Sequence, residues 1–232
     1  DFDVETKKIG LLMPTYSASR DICTAGGMVG NNAGGEKSLH YGKTENFVSM
    51  LRVVFDDGEV YEIKSLTLTE LQTKVASQTR EGNIYKAIYD LISTHYDEIT
   101  GAKPNVSKNS AGYYLWNVYD KQTGVFDLCR LIVGSQGTLG IVTEITFRLL
   151  PVNKSSKLVV IFLNDLSYIG ELINTVLEYK PESIESYDDN TLKIAVKFFG
   201  DFLKKRGVVG MFKFMFSFLP EFFMMLSGGI PK

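Results

Sequence analysis

From Phe47 the chain reads FVSMLRVVF, breaks at Asp56-Asp57-Gly58, and resumes as Glu59-Val60-Tyr61-Glu62-Ile63. Two β-branched and aromatic runs joined by an Asp-Gly turn predict a β-hairpin. Leu68 to Arg80 then predicts a helix, and Glu81 to Ile99 a second one. In the second, Ile84, Ala87, Ile88, Leu91, Ile92 and Tyr96 recur at helical spacing. Gly101 to Gly112 holds Pro104 and several small polar residues, the composition of a loop. Leu131 to Val133 reads as a short buried strand. The segment IVTEITFRLL follows, with Ile141, Thr143, Ile145, Phe147 and Leu149 on one side and Glu144, Thr146 and Arg148 on the other. That period of two predicts a strand with one face inward.

Pro151 to Lys157 is polar and interrupts the pattern, so a domain boundary is expected there, dividing the chain into residues 1–151 and 152–232. Beyond it, Leu158 to Leu163 reads as a strand, Leu166 to Tyr179 as a helix, Ser183 to Tyr187 as a strand and Thr191 to Phe199 as a further apolar element. Strands mixed with helices in this order predict a small α+β domain. Val208 to Leu226 is the most apolar stretch, but Lys213, Pro220 and Glu221 interrupt it. It reads as two short amphipathic helices broken at Pro220 rather than a membrane span. Such helices either pack within the second domain or lie on a membrane surface, and Lys204, Lys205 and Arg206 just upstream suit the latter. The opening DFDVETKK and the closing GGIPK have the look of cuts through a longer chain.

Charge narrows the partners. Lys and Arg number 25 against 27 Asp and Glu, a net charge of −2, which gives no electrostatic footprint for nucleic acid. The two cysteines, Cys23 and Cys129, form no metal or redox motif and suit a reducing compartment. The expected location is therefore the cytoplasm, or the inner face of the membrane if the aromatic segment docks there. The sequon at Asn105 has nothing else of a secreted protein around it and is taken as chance.

The glycines pose the chemical question. TAGGMVGNNAGGEKSLHYG spans Thr24 to Gly42, and a second cluster holds Gly134, Gly137 and Gly140. A Walker A loop ending at Gly42-Lys43-Thr44 would need glycine at position 37, where Lys37 stands. The alternative frame GNNAGGEKS brings Glu36 against the phosphates. The second cluster is GxxGxxG, not GxGxxG, and a strand rather than a helix follows it, which argues against a dinucleotide fingerprint of the Rossmann type. Two readings remain. The glycines make tight turns between strands, or they let main-chain amides approach a nucleotide cofactor without a helix end, with Asn31 and Asn32 adding hydrogen bonds.

A set of motifs in order separates these readings: Thr24-Ala25-Gly26-Gly27, Asn32-Ala33-Gly34-Gly35, Tyr41-Gly42, the hairpin FVSMLRVVFDDGEVYEI, Lys108-Asn109-Ser110-Ala111-Gly112-Tyr113, and GSQGTLGIVTE from Gly134 to Glu144. Over roughly residues 10 to 151 the set resembles FAD-linked oxidases of the vanillyl-alcohol oxidase superfamily, with a PCMH-type FAD domain. Within it the nearest branch holds the glycolate oxidase flavin subunit and the D-lactate and D-2-hydroxyglutarate dehydrogenases. The resemblance implies an α+β fold: the C-terminal part of the FAD domain, a mixed or antiparallel sheet with flanking helices, followed by the start of an α+β cap domain.

It also implies FAD as cofactor and a small 2-hydroxy acid as substrate, oxidised to the 2-keto acid. The electrons would pass to a quinone or an acceptor protein. Carried over position by position, the flavin-contacting residues are Thr24, Gly26, Gly27, Asn31, Asn32, Ala33, Gly34 and Gly35 in the first segment, and Gly137, Gly140, Ile141 and Val142 in the second. Pro14 to Ser19 resembles the loop that precedes them. Departures matter as well. The family's upstream pyrophosphate loop has no counterpart here, Gln136 stands where an acidic residue is common, and no catalytic residue or metal ligand is assigned. His40 and His95 read as surface residues. The rival expectation is a non-catalytic flavin-binding or membrane-docking module that works with another chain.

Overall fold

The hairpin organises the structure. In the computed structural model, which describes residues 1–106, 109–153 and 155–205, strand β2 (Val48–Val54) pairs antiparallel with β3 (Val60–Thr67) across the Asp57-Gly58 turn. Before it come helix α1 (Phe2–Lys8), strand β1 (Leu11–Leu12) and the short helices α2 (Ala25–Gly30) and α3 (Ser38–Tyr41). After β3 come helices α4 (Leu68–Ala76), α5 (Arg80–Thr94) and α6 (Tyr96–Gly101), strands β4 (Tyr119–Asp120) and β5 (Val125–Asp127), helix α7 (Cys129–Ile132), and strands β6 (Ile141–Phe147) and β7 (Leu150–Pro151). One antiparallel sheet runs in the order β4-β5-β3-β2-β6, and β1 pairs separately with β7. The fold thus mixes helices with antiparallel sheets.

The core lies where β2, β3 and β5 meet α5. Leu51, Val53, Ile63, Phe126 and Tyr85 are fully buried, and the Tyr85 and Phe126 rings lie 5.9 Å apart. Each such side chain contributes roughly 1.5–3 kcal/mol by leaving water. Thr67 ends β3 and starts α4 at once: its hydroxyl accepts from the Glu70 amide while the Glu70 carboxylate accepts from the Thr67 amide, a capping box.

Several expectations need correction. The helix expected over Glu81 to Ile99 is two helices, because His95 leaves helical geometry between α5 and α6. Its inward stripe is centred on Tyr85 and Ile92, while Leu91 is 45% exposed. Leu131 to Val133 is no strand: Cys129–Ile132 forms one helical turn, started by the Asp127 carboxylate, which accepts the Cys129 amide at 3.0 Å. A short apolar run has too few positions to reveal its period.

The alternation in β6 also changes phase. Arg52 pairs with Glu144 but Val53 pairs with Val142, so Thr143 is an extra residue, a β-bulge. Val142, Ile145 and Phe147 therefore pack against the core, and Ile141 is 67% exposed.

Residues 1 to 184 form one compact unit, and a second begins at Glu185. In the first, the chain after β7 carries helix α8 (Ile169–Glu178), but Leu158 to Leu163 and Ser183 to Tyr187 are not strands. Leu158 to Leu163 stands exposed without a pairing strand among the described residues, and an apolar run becomes a strand only where neighbours supply its hydrogen bonds. In the second unit, Thr191 to Phe199 falls within helix α9 (Asp189–Lys205). No helix among the described residues is long and apolar enough to cross a membrane. The aromatic segment Val208–Leu226 lies outside the described residues.

Candidate functional site

The Thr24 segment is not an open loop of amides. It folds into α2, capped by Thr24, whose hydroxyl accepts the Gly27 amide at 3.0 Å. A six-residue helix containing three glycines is poor by propensity, since each glycine costs about 1 kcal/mol against alanine. Tertiary contacts must offset that cost. Val29 is fully buried in the core, and the backbone of Gly30 lies against that of Gln136.

The two glycine clusters are bonded to each other at this point. The Val29 carbonyl accepts the Gly134 amide, and the Gly30 carbonyl accepts the Gln136 amide, both at 2.9 Å. These bonds satisfy carbonyls that a helix C-terminus leaves open. The following turn passes through Asn32, at φ 46°, into a buried position. The Asn32 side-chain oxygen accepts the Glu45 amide at 3.0 Å, while its side-chain nitrogen is buried with no partner among the described residues. Ala33 is buried too, and its carbonyl accepts from both the amide and the hydroxyl of Thr44.

Beside this junction runs an open groove of about 170 Å³. Five of the sequence-derived residues line it: Gly26, Gly137, Gly140, Ile141 and Val142. Gly30, Ile132 and Ser135 line it as well and were missed. Gly30 and Ser135 sit inside the quoted motifs, so proximity in sequence was a usable signal, whereas Ile132 faces the groove only because α7 is helical. The remaining seven do not line it. Thr24 caps α2, Gly27 packs on that cap, and Asn31 is exposed at the helix end. Asn32 and Ala33 are buried, and Gly34 and Gly35 belong to the loop before α3.

The glycines separate by what a side chain would meet. A Cβ on Gly26 or Gly137 would meet nothing within 4 Å. One on Gly35 would collide with the Tyr16 carbonyl, and one on Gly140 would lie 2.6 Å from a Val53 methyl and 3.0 Å from the Val54 carbonyl. Gly137 also has φ 79°, a conformation that side-chain-bearing residues avoid. Gly26 and Gly137 thus keep a surface open, while Gly35 and Gly140 let the chain close on itself.

No charged side chain lines the groove, and Ser135 supplies its single hydroxyl. It offers an apolar, glycine-lined surface without an acid or base. A second cavity of about 190 Å³ is more polar, with Lys43, Glu45, Lys103, Tyr114 and Trp116 around it. Its Lys43 ammonium already donates to the Asn109 carbonyl and, at 2.9 Å, to the Tyr114 hydroxyl. His40 is exposed, and His95 pairs with Glu98 at 3.1 Å at the protein surface. Among the described residues no cluster of His, Cys, Asp and Glu is arranged to hold a metal.

Comparison with known proteins points to a flavin nucleotide. Residues 1–64 match the family model of the FAD binding domain. The chain is 29% identical over 191 residues to a D-2-hydroxyglutarate dehydrogenase of Pseudomonas putida, covering 82% of this chain and 19% of that protein. It is 28% identical to the glycolate oxidase subunit GlcD of Bacillus subtilis, with 82% and 30% covered. It is 27% identical to a D-lactate dehydrogenase of Anaerostipes hadrus, with 86% and 31% covered. The chain is thus similar to 2-hydroxy acid dehydrogenases and an oxidase subunit, and the match over residues 1–64 indicates FAD as cofactor. The chain spans 19% to 31% of the length of these three relatives. The groove fits one face of such a cofactor: it is free of charged side chains and kept open by two glycines without facing atoms.

Proposed function

We propose that this chain supplies one wall of the FAD site in an oxidoreductase that converts a small 2-hydroxy acid to its 2-keto acid. The observation that carries the reading is the groove itself, where two segments distant in sequence are stitched together beside an apolar, glycine-lined surface. Gly26, Gly30, Gly137 and Gly140 would hold the cofactor by backbone approach, with Ile132, Ile141 and Val142 against its apolar faces. Thr24, Gly27, Asn31, Asn32, Ala33, Gly34 and Gly35 would act behind them, shaping α2 and its exit turn. Bound FAD supplies a two-electron acceptor; the protein's part is to orient it and keep water from it.

The substrate class follows from the names of the relatives, which are dehydrogenases of D-2-hydroxyglutarate and D-lactate and a glycolate oxidase subunit. Residues 1–151 form the C-terminal part of the PCMH-type domain in this reading, and residues 152–232 begin the substrate or cap domain. That division is one of function. The electron acceptor is a quinone or a redox protein, and the expected setting is cytoplasmic or peripheral to the inner membrane face through Val208–Leu226. The groove has no acid or base of its own, so the proton-transferring groups belong elsewhere in the enzyme. The test is spectral. The complete protein should carry flavin absorbance that bleaches anaerobically with D-2-hydroxyglutarate, D-lactate or glycolate. A flavin that none of the three reduces would reject the substrate class, and a colourless protein indifferent to FAD would reject the whole reading.

A further inference from the structure

Glu182 stands just after α8, where the chain leaves the helix through Lys180 at φ 50° and Pro181, which cannot continue it. Its carboxylate collects three donors from two distant parts of the chain. The Tyr41 hydroxyl donates to Oε1 at 2.8 Å, the Asn153 amide donates to the same oxygen at 2.8 Å, and the Lys37 ammonium lies 3.0 Å from Oε2. Lys37 caps α3 and Tyr41 is its last residue, and Gly34 and Gly35 precede the helix by a short loop. Asn153 follows β7, which is itself paired with β1. The cluster is only partly open to water, with Lys37 and Glu182 side chains 25% and 32% exposed. The hydrogen bonds from Lys37 and Tyr41 hold the Glu182 carboxyl below the usual carboxylate range. Lys37 is the residue that breaks the Walker A pattern, and here its charge has a different use.

We propose that Glu182 is a positioning residue: it clasps α3 and its cap Lys37, which follow the first glycine segment of the cofactor wall, to the chain that follows Pro151, fixing the two against each other. The proposal rests on the functional reading above only for what it calls the cofactor wall. A surface ion pair alone contributes little. A carboxylate with three converging donors, one of them charged, differs because losing it leaves three groups without their partner at once.

Hydrogen–deuterium exchange on the full chain tests this, read at the Tyr41 and Gly42 amides, which donate to Lys37 and Ser38, and at Val152, which donates to Gly10. Glu182→Ala should speed exchange there by roughly five- to tenfold. Glu182→Gln keeps an acceptor for Tyr41 and should fall between Ala and wild type. Lys37→Met combined with Glu182→Gln should exchange no faster than Glu182→Gln alone, as coupled partners do. Unchanged exchange in Glu182→Ala would overturn the proposal, and so would an equal increase in β2 and α5, which would mark general destabilisation. Exchange does not require FAD, so failure of the chain to bind flavin would remove the functional reading and leave the clasp standing.

Discussion

The carbonyl of Gly30 accepts the amide of Gln136 at 2.9 Å, and with its neighbour from Gly134 to Val29 it joins the two glycine-rich segments into one surface. Around this bond the glycines divide into those that hold the fold closed and those that leave the groove open. That division has energetic consequences that can be measured.

Gly35→Ala and Gly140→Ala place a methyl into occupied space, against the Tyr16 carbonyl and the Val53–Val54 backbone and side chain. Overpacking of this kind costs about 1–3 kcal/mol and more where backbone must move. Both variants should unfold at markedly lower urea concentration. Gly26→Ala has free space, and in a helix it should gain up to about 1 kcal/mol. A destabilised Gly26→Ala, or a tolerated Gly35→Ala, would contradict the division.

Much of this was legible in the sequence, and the exceptions are physical. The hairpin from Phe47 to Ile63 was readable because a tight turn and two β-rich runs specify it locally. The phase of β6 was not, since the bulge at Thr143 depends on its pairing with β2. The helix at α2 was hidden because three glycines argue against it, and the contacts that offset them come from residues 134–136, far along the chain. Gly26, Gly137, Gly140, Ile141 and Val142 were reached through motif resemblance, while Ile132 required knowing that α7 is a helix.

The two cysteines should differ in reactivity. Cys129 is 1% exposed, its thiol donates to the Ile63 carbonyl at 3.2 Å, and burial together with the nearby Asp127 charge pushes its pKa well up. Thiolate is the reactive form, so Cys129 should resist iodoacetamide until the protein unfolds. Cys23 is partly accessible and should be labelled in the native state. Mass spectrometry after a timed pulse distinguishes them; equal labelling would contradict the buried α7.

Asp127 should give the protein a pH signature. Burial raises its carboxyl pKa, outweighing the Arg130 charge and the Cys129 amide. A carboxyl raised on folding favours the folded state most when protonated, below its unfolded value near 4, and that contribution is lost as pH climbs through the folded value. The stability of Asp127→Asn relative to wild type should therefore increase as pH rises from about 4 towards 7. Urea unfolding of both proteins across that range checks it. A difference that stays constant, or moves the other way, would contradict the buried position of Asp127.

The central claim is that the groove beside the Gly30–Gln136 junction is a wall of the FAD site, and Gly26→Leu tests it most directly. Leucine suits a helix and its Cβ would meet nothing within 4 Å here, so α2 should remain folded, while the larger side chain of a groove-lining residue should obstruct the groove. FAD titrated into the complete protein, followed by quenching of flavin fluorescence, should bind wild type and bind Gly26→Leu at least about tenfold more weakly, a loss of about 1.4 kcal/mol, with the urea midpoint unchanged or higher. Equal FAD affinity in the two proteins would show that the flavin lies elsewhere.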